Sequence, residues 1–277
     1  MSTKVNWLVD DYILDSRHTV GDLKKSILDA GHDLYTTKYM PLSEYQDYGP
    51  KDWVNEPTVM YGTIGYIQRC KVPFIPGAYG INQNTDCNFY YPELPKLWML
   101  NNGFVMVPFG IFQNNPWCYF DMFGEDALFM RPNSGRKTFA GTVVTKENVV
   151  SELSSSMQIT SVTKETIILL SPAKVIEGEF RFVIGNREVI DGSEYRWDNK
   201  LDVRRDYPKE CWELADKMAR WGWQPDICYT VDVALTPVGP KIIELNGFSC
   251  AGLYACDKDI IVNRISEIAL KDFKGEL

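Results

Sequence analysis

Two apolar, β-branched arms constrain this chain most: Thr230-Val231-Asp232-Val233-Ala234-Leu235 and Lys241-Ile242-Ile243-Glu244-Leu245-Asn246-Gly247-Phe248-Ser249, joined by Thr236-Pro237-Val238-Gly239-Pro240. A proline- and glycine-rich link between arms of that composition is a β-hairpin signal. Side chains alternate along a strand, so Glu244 and Asn246 share one face, and Asp232 on the other arm can share it. Two carboxylates and an amide oxygen at a strand end form a hard, oxygen-only donor set. Mg²⁺ takes such a set while keeping positions for water and phosphate. The competing reading is a solvated hairpin face, the ordinary place for an Asp or Glu. These polar residues interrupt otherwise apolar arms and run into a glycine, which favours the metal site.

With 277 residues the chain can bury a large core and hold two or three subdomains, and 45% hydrophobic with 24% charged residues is the balance of an ordered soluble protein. A formal charge of −8 argues against a general nucleic-acid surface. No run reaches the roughly 20 apolar residues of a membrane span, and the first residues lack the basic-then-apolar layout of a signal peptide. The expected location is cytoplasmic. Seven cysteines without a C-x-x-C pair give neither a zinc ribbon nor a disulfide framework. The two histidines, His18 and His32, lie far in sequence from the other polar clusters, which argues against a histidine-dependent hydrolase.

Along the chain, residues 4–9 read as a strand and 19–30 as a helix, with Thr19 as N-cap and Gly31 as stop. This β-α opening predicts an open α/β domain. Residues 59–65 read as a strand-to-helix turn; Gly62 and Gly65 do not match a dinucleotide fingerprint. Residues 71–79 read as a short strand ended by Pro76-Gly77, and the aromatic stretch after it has no readable period. Residues 128–131 form a strand that passes into Pro132-Asn133-Ser134-Gly135-Arg136-Lys137-Thr138-Phe139-Ala140-Gly141. That small-residue, basic loop suits polyphosphate, although it is not a Walker loop and also fits a plain surface turn. Thr145 is expected to cap a helix to about residue 153. Residues 166–170 form a strand followed by Ser171-Pro172, where proline removes a ladder donor and leaves neighbouring main-chain groups for a ligand edge. Residues 179–184 and 187–190 flank Gly185-Asn186 as a hairpin. Arg181 alternates with Phe180 and Phe182; it is either an exposed arginine or an inward one serving phosphate. Helices are expected over 208–221 and 257–273.

The order of these segments, Phe129-Met130-Arg131-Pro132 with its loop, the strand 169–175, Glu179-Phe180-Arg181, Asp232-Val233-Ala234 and Ile243-Glu244-Leu245-Asn246-Gly247, resembles the ATP-grasp superfamily. The likeness is greatest to a phage and bacterial branch with arginine in place of the central-strand lysine. It covers residues 55–277 and continues upstream in Val72-Pro73-Phe74-Ile75-Pro76-Gly77 and Val105-Met106-Val107-Pro108. The resemblance implies an N-terminal α/β domain over residues 1–110 and an α+β ATP-grasp domain over 111–277, with lobes at 111–178 and 179–277 that grip ATP. It further implies phosphate contacts from Arg131 and Arg181 and a loop over the phosphates that includes Asn133, Ser134 and Lys137. Arg131, Arg181 and Lys137 would carry the catalysis. Ser171, Ala173 and Lys174 would line the adenine hinge, and Lys96 is the match for an upstream ATP lysine. Asp232, Glu244 and Asn246 would hold two Mg²⁺, while Gly77, Tyr79, Arg196, Gly247 and Phe248 would face substrate.

By the same resemblance, the chain is an ATP-dependent carboxylate–amine ligase working through an acyl phosphate on a small metabolite, a peptide or a modified base. Phosphoryl transfer needs in-line positioning and neutralised charge, and no protein nucleophile. Two other readings remain open: a kinase with a hydroxyl acceptor, and a non-catalytic ATP-binding module. Membrane partners are not expected, nucleic acid beyond a modified base is not, and a homodimer is left open.

Overall fold

The computed structural model describes residues 4–14, 22–43, 46–71, 74 and 76–277. Its strands, in chain order, are β1 Asn6–Asp10, β2 Asp33–Thr37, β3 Thr58–Tyr61, β4 Val105–Pro108, β5 Ala127–Pro132, β6 Thr142–Thr145, β7 Ile167–Pro172, β8 Gly178–Gly185, β9 Glu188–Trp197, β10 Lys200–Arg204, β11 Cys228–Thr236 and β12 Gly239–Gly247. The chain divides into two compact units, one of Met1–Asn82 with Ile176–Leu277 and one of Gln83–Val175. These units are drawn differently from the sequence ranges above: residues 83–110 belong with 111–175, and residues 1–82 with the C-terminal hundred.

In the first unit β1 pairs in parallel with β2 and β3, the open α/β arrangement expected of the N-terminal stretch. A second, antiparallel sheet has the order β10-β9-β8-β11-β12. One core joins them: Trp7, Val9 and Tyr61 of the parallel sheet pack with Val183, Cys228 and Phe248, and with Ile261 and Ile265 of the helix Lys258–Phe273. Polar stitches cross the same core, Trp7 Nε1 donating to Ser266 Oγ at 2.9 Å and Tyr61 OH to the Ala251 oxygen at 2.7 Å. Asp257 caps the last helix by accepting from Asp259 N and Ile260 N.

In the second unit β4-β7-β5-β6 form an antiparallel sheet. One face, with Leu128, Met130, Val144, Ile168 and Leu170, packs on Phe109, Phe112 and Phe120. Among the described residues no helix is long and apolar enough to cross a membrane.

Several local expectations shift. The helix expected from Thr19 runs over Leu23–Asp29, and Asp22 is its cap; Thr19 and His18 lie outside the described residues. Gly31 ends it at φ 78°, in the left-handed region that glycine tolerates. The strand expected over 71–79 is absent among the described residues there, which are Lys71, Phe74 and 76–79. Pro73 and Pro76 supply no ladder donors, and Gly77 turns the chain at φ 118°. Val72, Pro73 and Ile75 lie outside the described residues. Thr145 ends β6, and the helix begins later, at Val149–Ile159, because Val143 and Val144 continue the ladder with β5. The hairpin turn between β8 and β9 falls one residue on, at Asn186 and Arg187, both at positive φ.

Candidate functional site

The hairpin of β11 and β12 sets Asp232 opposite Glu244 and Thr230 opposite Asn246, and β8 sets Arg181 opposite Asp232. Paired residues share a sheet face. Five polar side chains therefore stand together on the face opposite Val231, Val233, Ile242 and Leu245. A β-bulge makes this possible: Asp232 pairs with Glu244 while Val233 pairs with Ile242, so Ile243 is the extra residue. Strict alternation would put Ile242 beside Glu244; the bulge returns Ile242 to the buried side, where it is fully covered.

Arg181 grips Asp232 with both limbs of its fork, Nε to Oδ1 and Nη2 to Oδ2, each at 2.7 Å. Its Nη1 donates to the Gly252 oxygen at 3.1 Å, and its guanidinium lies 5.0 Å from the Tyr254 ring centre and 5.7 Å from that of Tyr195. The two rings stack 4.8 Å apart. The side chains of the pair are 6% and 2% exposed. Burial opposes the charge on Arg181, and the Asp232 carboxylate outweighs it, so the guanidinium pKa sits well above its ordinary value. Burial, then the carboxylates of Asp232 and Glu179, push the Tyr195 phenol up. Tyr195 donates to Glu179 Oε2 at 2.6 Å, and Arg196 pairs with Glu179 Oε1 at 3.0 Å from its half-exposed position on β9.

The donor chemistry fits a hard divalent cation. Asn246 Nδ2 donates to Glu244 Oε1 at 3.1 Å, which leaves the amide oxygen as the ligand atom. Thr230, fully buried opposite Asn246, carries a hydroxyl with no hydrogen-bond partner among the described residues. No three His, Cys, Asp or Glu side chains among the described residues form a cage, so a cation here would rest on two carboxylates, one amide and outside oxygens. Arg181 occupies two of the roughly four lone-pair positions of the Asp232 carboxylate, so a metal here would share that carboxylate with the guanidinium.

In the second unit Arg131 stands opposite Leu169 and Phe129 opposite Ser171, so Arg131 and Ser171 share the sheet face turned away from the phenylalanine core. Arg131 is 4% exposed. Burial pushes the phenol pKa values of Tyr90 and Tyr91 up, and the Arg131 charge opposes that rise in part. Ser171 donates to Asn101 Oδ1 at 3.0 Å. The Ala173 N–H donates to the Ala127 oxygen at 3.2 Å, so the proline leaves this group in a main-chain bond. Lys174 is exposed, as is Lys96 on the 3-10 turn Lys96–Trp98. After β5 the loop carries Lys137 at φ 54° with its N–H on the Ser134 oxygen, and Ser134 Oγ accepts from Arg136 N.

The residues expected to face substrate in the first unit divide. Tyr79 is buried with its hydroxyl on Asp272 Oδ2 at 3.0 Å, and Phe248 lies in the core against Tyr61, 5.7 Å between ring centres. A Cβ on Gly247 would fall 2.4 Å from the Gly80 carbonyl carbon, and one on Gly77 would fall 1.9 Å from the Thr58 oxygen. Backbone packing therefore accounts for both glycines. Sequence reasoning missed Tyr195, Tyr254 and Gly252 around Arg181, and only the tyrosines, both aromatic at sheet or turn positions, left any signal.

The profile of an ATP-grasp domain family, R2K_2, the second family of its clade, matches residues 122–263, which span β5 to β12 and the start of the last helix. No curated protein sequence matches the chain. Solved structures share the fold at low identity. The D-cycloserine synthetase DcsG is 10% identical with a TM-score of 0.60, covering 97% of this chain and 99% of its own. A D-alanine–D-alanine ligase from Bacillus anthracis complexed with ATP is 13% identical with a TM-score of 0.57 over 100% of both chains. An N5-carboxyaminoimidazole synthetase from Staphylococcus aureus is 13% identical with a TM-score of 0.59, covering 95% of this chain and 77% of its own. The α/β and α+β architecture is thus the ATP-grasp fold, and because the profile spans just over half of the sequence, the chain belongs to the ATP-grasp domain family R2K_2.

Proposed function

We propose that this protein is an ATP-dependent ligase that joins a carboxylate to an amine through an acyl phosphate. The observation that carries the reading is the polar face of β11 and β12, where Asp232, Glu244 and Asn246 stand in register beside a fixed arginine. Similarity to two synthetases and a ligase supports the reaction class. Asp232, Glu244 and Asn246 would hold two Mg²⁺, which supply charge neutralisation on the transferring phosphoryl group. Arg181, held by Asp232, Gly252 and two tyrosine rings, keeps its charge at every working pH. Arg131 and Lys137 serve as phosphate cations of the second unit, and the strand end at Ser171 and Lys174 serves adenine. Arg196, half-exposed beside Glu179, is the substrate-facing residue that the geometry leaves accessible.

The reaction runs in two balanced steps. A substrate carboxylate oxygen attacks the γ-phosphorus, the bond to ADP breaks, and an acyl phosphate forms. The amine nitrogen then attacks the acyl carbon, phosphate leaves with the bonding pair, and the amine proton passes to solvent. Small metabolites, peptides and modified bases all present the required carboxylate or amine.

The test is to incubate the protein with MgATP and a small-molecule extract and identify products by mass spectrometry. The ligase reading expects ADP, phosphate and an amide; a phosphorylated acceptor without amide makes the protein a kinase. MgATP at about 100 times its dissociation constant should add about 2.7 kcal/mol to stability. An unchanged melting temperature with saturating MgATP removes the nucleotide from the reading.

A further inference from the structure

The loop after β5 and the helix Cys87–Glu93 hold each other by reciprocal contacts inside the second unit. The first turn of a helix leaves backbone N–H groups without intrahelical partners. Asn133 takes two of them: its backbone oxygen accepts from Cys87 N at 2.9 Å and its Oδ1 from Asn88 N at 2.8 Å. Its Nδ2 donates in turn to Asn88 Oδ1 at 2.8 Å. Asp86 holds the N-cap position of the same helix yet makes no side-chain cap to it. Its Oδ1 accepts instead from Gly135 N at 2.9 Å. An aspartate there ordinarily caps its own helix; here the helix is capped by the loop, and the capping residue pins the loop. Farther on, Phe139 is buried among the phenylalanines of the core, edge-on to Phe109. Between these two anchors Arg136 and Lys137 are the exposed residues.

We propose that Asp86, Asn88 and Asn133 are positioning residues of the phosphate loop. The clip fixes the root of the loop, so that its cationic tip, Arg136 and Lys137, is presented to a polyphosphate from one place. A loop ordered in advance loses less conformational freedom on binding, and affinity rises accordingly. Asn133 thereby changes role, from phosphate contact to support. The inference rests on the nucleotide reading above.

Three variants test it: Asp86→Ala, Asn88→Ala and Asp86→Asn, the last of which keeps an acceptor oxygen for Gly135 N. Hydrogen exchange of residues 134–138 is measured in the ligand-free protein, and MgATP affinity by calorimetry. Both alanine variants should exchange faster in that segment; Asp86→Ala should bind MgATP about tenfold more weakly, the loss expected for one hydrogen bond to a charged group, and Asn88→Ala, which removes one neutral bond, about fivefold more weakly. Asp86→Asn should restore most of both. Faster exchange with unchanged MgATP affinity would reduce the clip to a structural contact and overturn the proposal, and so would unchanged exchange. If the wild-type protein binds no MgATP, the nucleotide reading fails and this proposal with it, whereas bound MgATP with unaffected variants sinks the clip alone.

Discussion

Arg181→Ala removes the cation from a pair that has almost no water around it, and its cost can be worked from the geometry. The side chains are 6% and 2% exposed and joined by two hydrogen bonds of 2.7 Å. With the guanidinium gone, Asp232 remains a buried anion stripped of its two-bond arginine fork, directly across the ladder from Glu244. Leaving one charge of a buried pair alone costs about 3–5 kcal/mol. At roughly 2–4 °C per kcal/mol for a chain of this size, the melting temperature should fall by about 10 °C. The double variant Arg181→Ala/Asp232→Ala removes both charges and should return to within about 2 kcal/mol of wild type, the remainder being lost packing. The assay is urea unfolding followed by tryptophan fluorescence, with separate transitions fitted where the two compact units give them. Added salt should change little, because a buried pair is weakly screened. An exposed arginine, the other reading that alternation allows, would cost nothing measurable. A single variant within about 1 kcal/mol of wild type, or a double variant no more stable than the single, would refute the argument.

Glu244→Gln and Asn246→Ala should each lower turnover by about a hundredfold, near 3 kcal/mol of transition-state stabilisation, with little change in ligand-free melting; wild-type turnover in both removes the metal site. Burial raises the Asp226 carboxyl to about 6, against the opposing backbone bond from Ile227 and the amide of Asn82. Because the folded state then holds its proton more tightly than the unfolded chain, this group contributes stability at low pH that is lost as pH rises from about 4 through about 6. Asp226→Asn should therefore gain on wild type across that window by about 2 kcal/mol, and a pH-independent difference in urea stability counts against it. Gly247→Ala would place a Cβ 2.4 Å from the Gly80 carbonyl carbon, where no flexible side chain can yield. It should cost about 3 kcal/mol or more, and a melting temperature equal to wild type would show that this backbone approach is looser than described.

Much of the candidate site was legible because its signals are local. The hairpin at 230–249 follows from composition and a proline-glycine link, and β11 and β12 indeed pair there. The order of Arg131, Arg181, Asp232, Glu244 and Asn246 along the chain was enough for the family resemblance, which the profile match supports. Helix ends were read less well: Asp22 and Asn148 sit at the caps where Thr19 and Thr145 were expected. Several polar or hydroxylic residues stood within reach of each start, and at the second one the pairing of β6 with β5 moved the cap to Asn148. Of the run at 71–79, the described residues form no strand, and apolar residues near prolines suit a turn as well as a strand.

What the sequence determined by itself was the alternation of polar and apolar residues on β8, β11 and β12, and with it the donor set, since a period of two depends only on neighbouring residues. Tertiary structure decided the rest. The bulge at Ile243 sends Ile242 to the core and keeps Glu244 beside Asp232, a matter of register between two strands. Arg181 is a clamped partner of Asp232 because β8 lies next to β11 and the turn carrying Gly252 and Tyr254 closes over it. Asn133 caps a helix 45 residues before it in the chain. Residues 1–82 share a core with residues 176–277 because Trp7, Val9 and Tyr61 find their apolar partners there. Burial rewards whichever surfaces meet, and no local spacing encodes which distant surfaces those are.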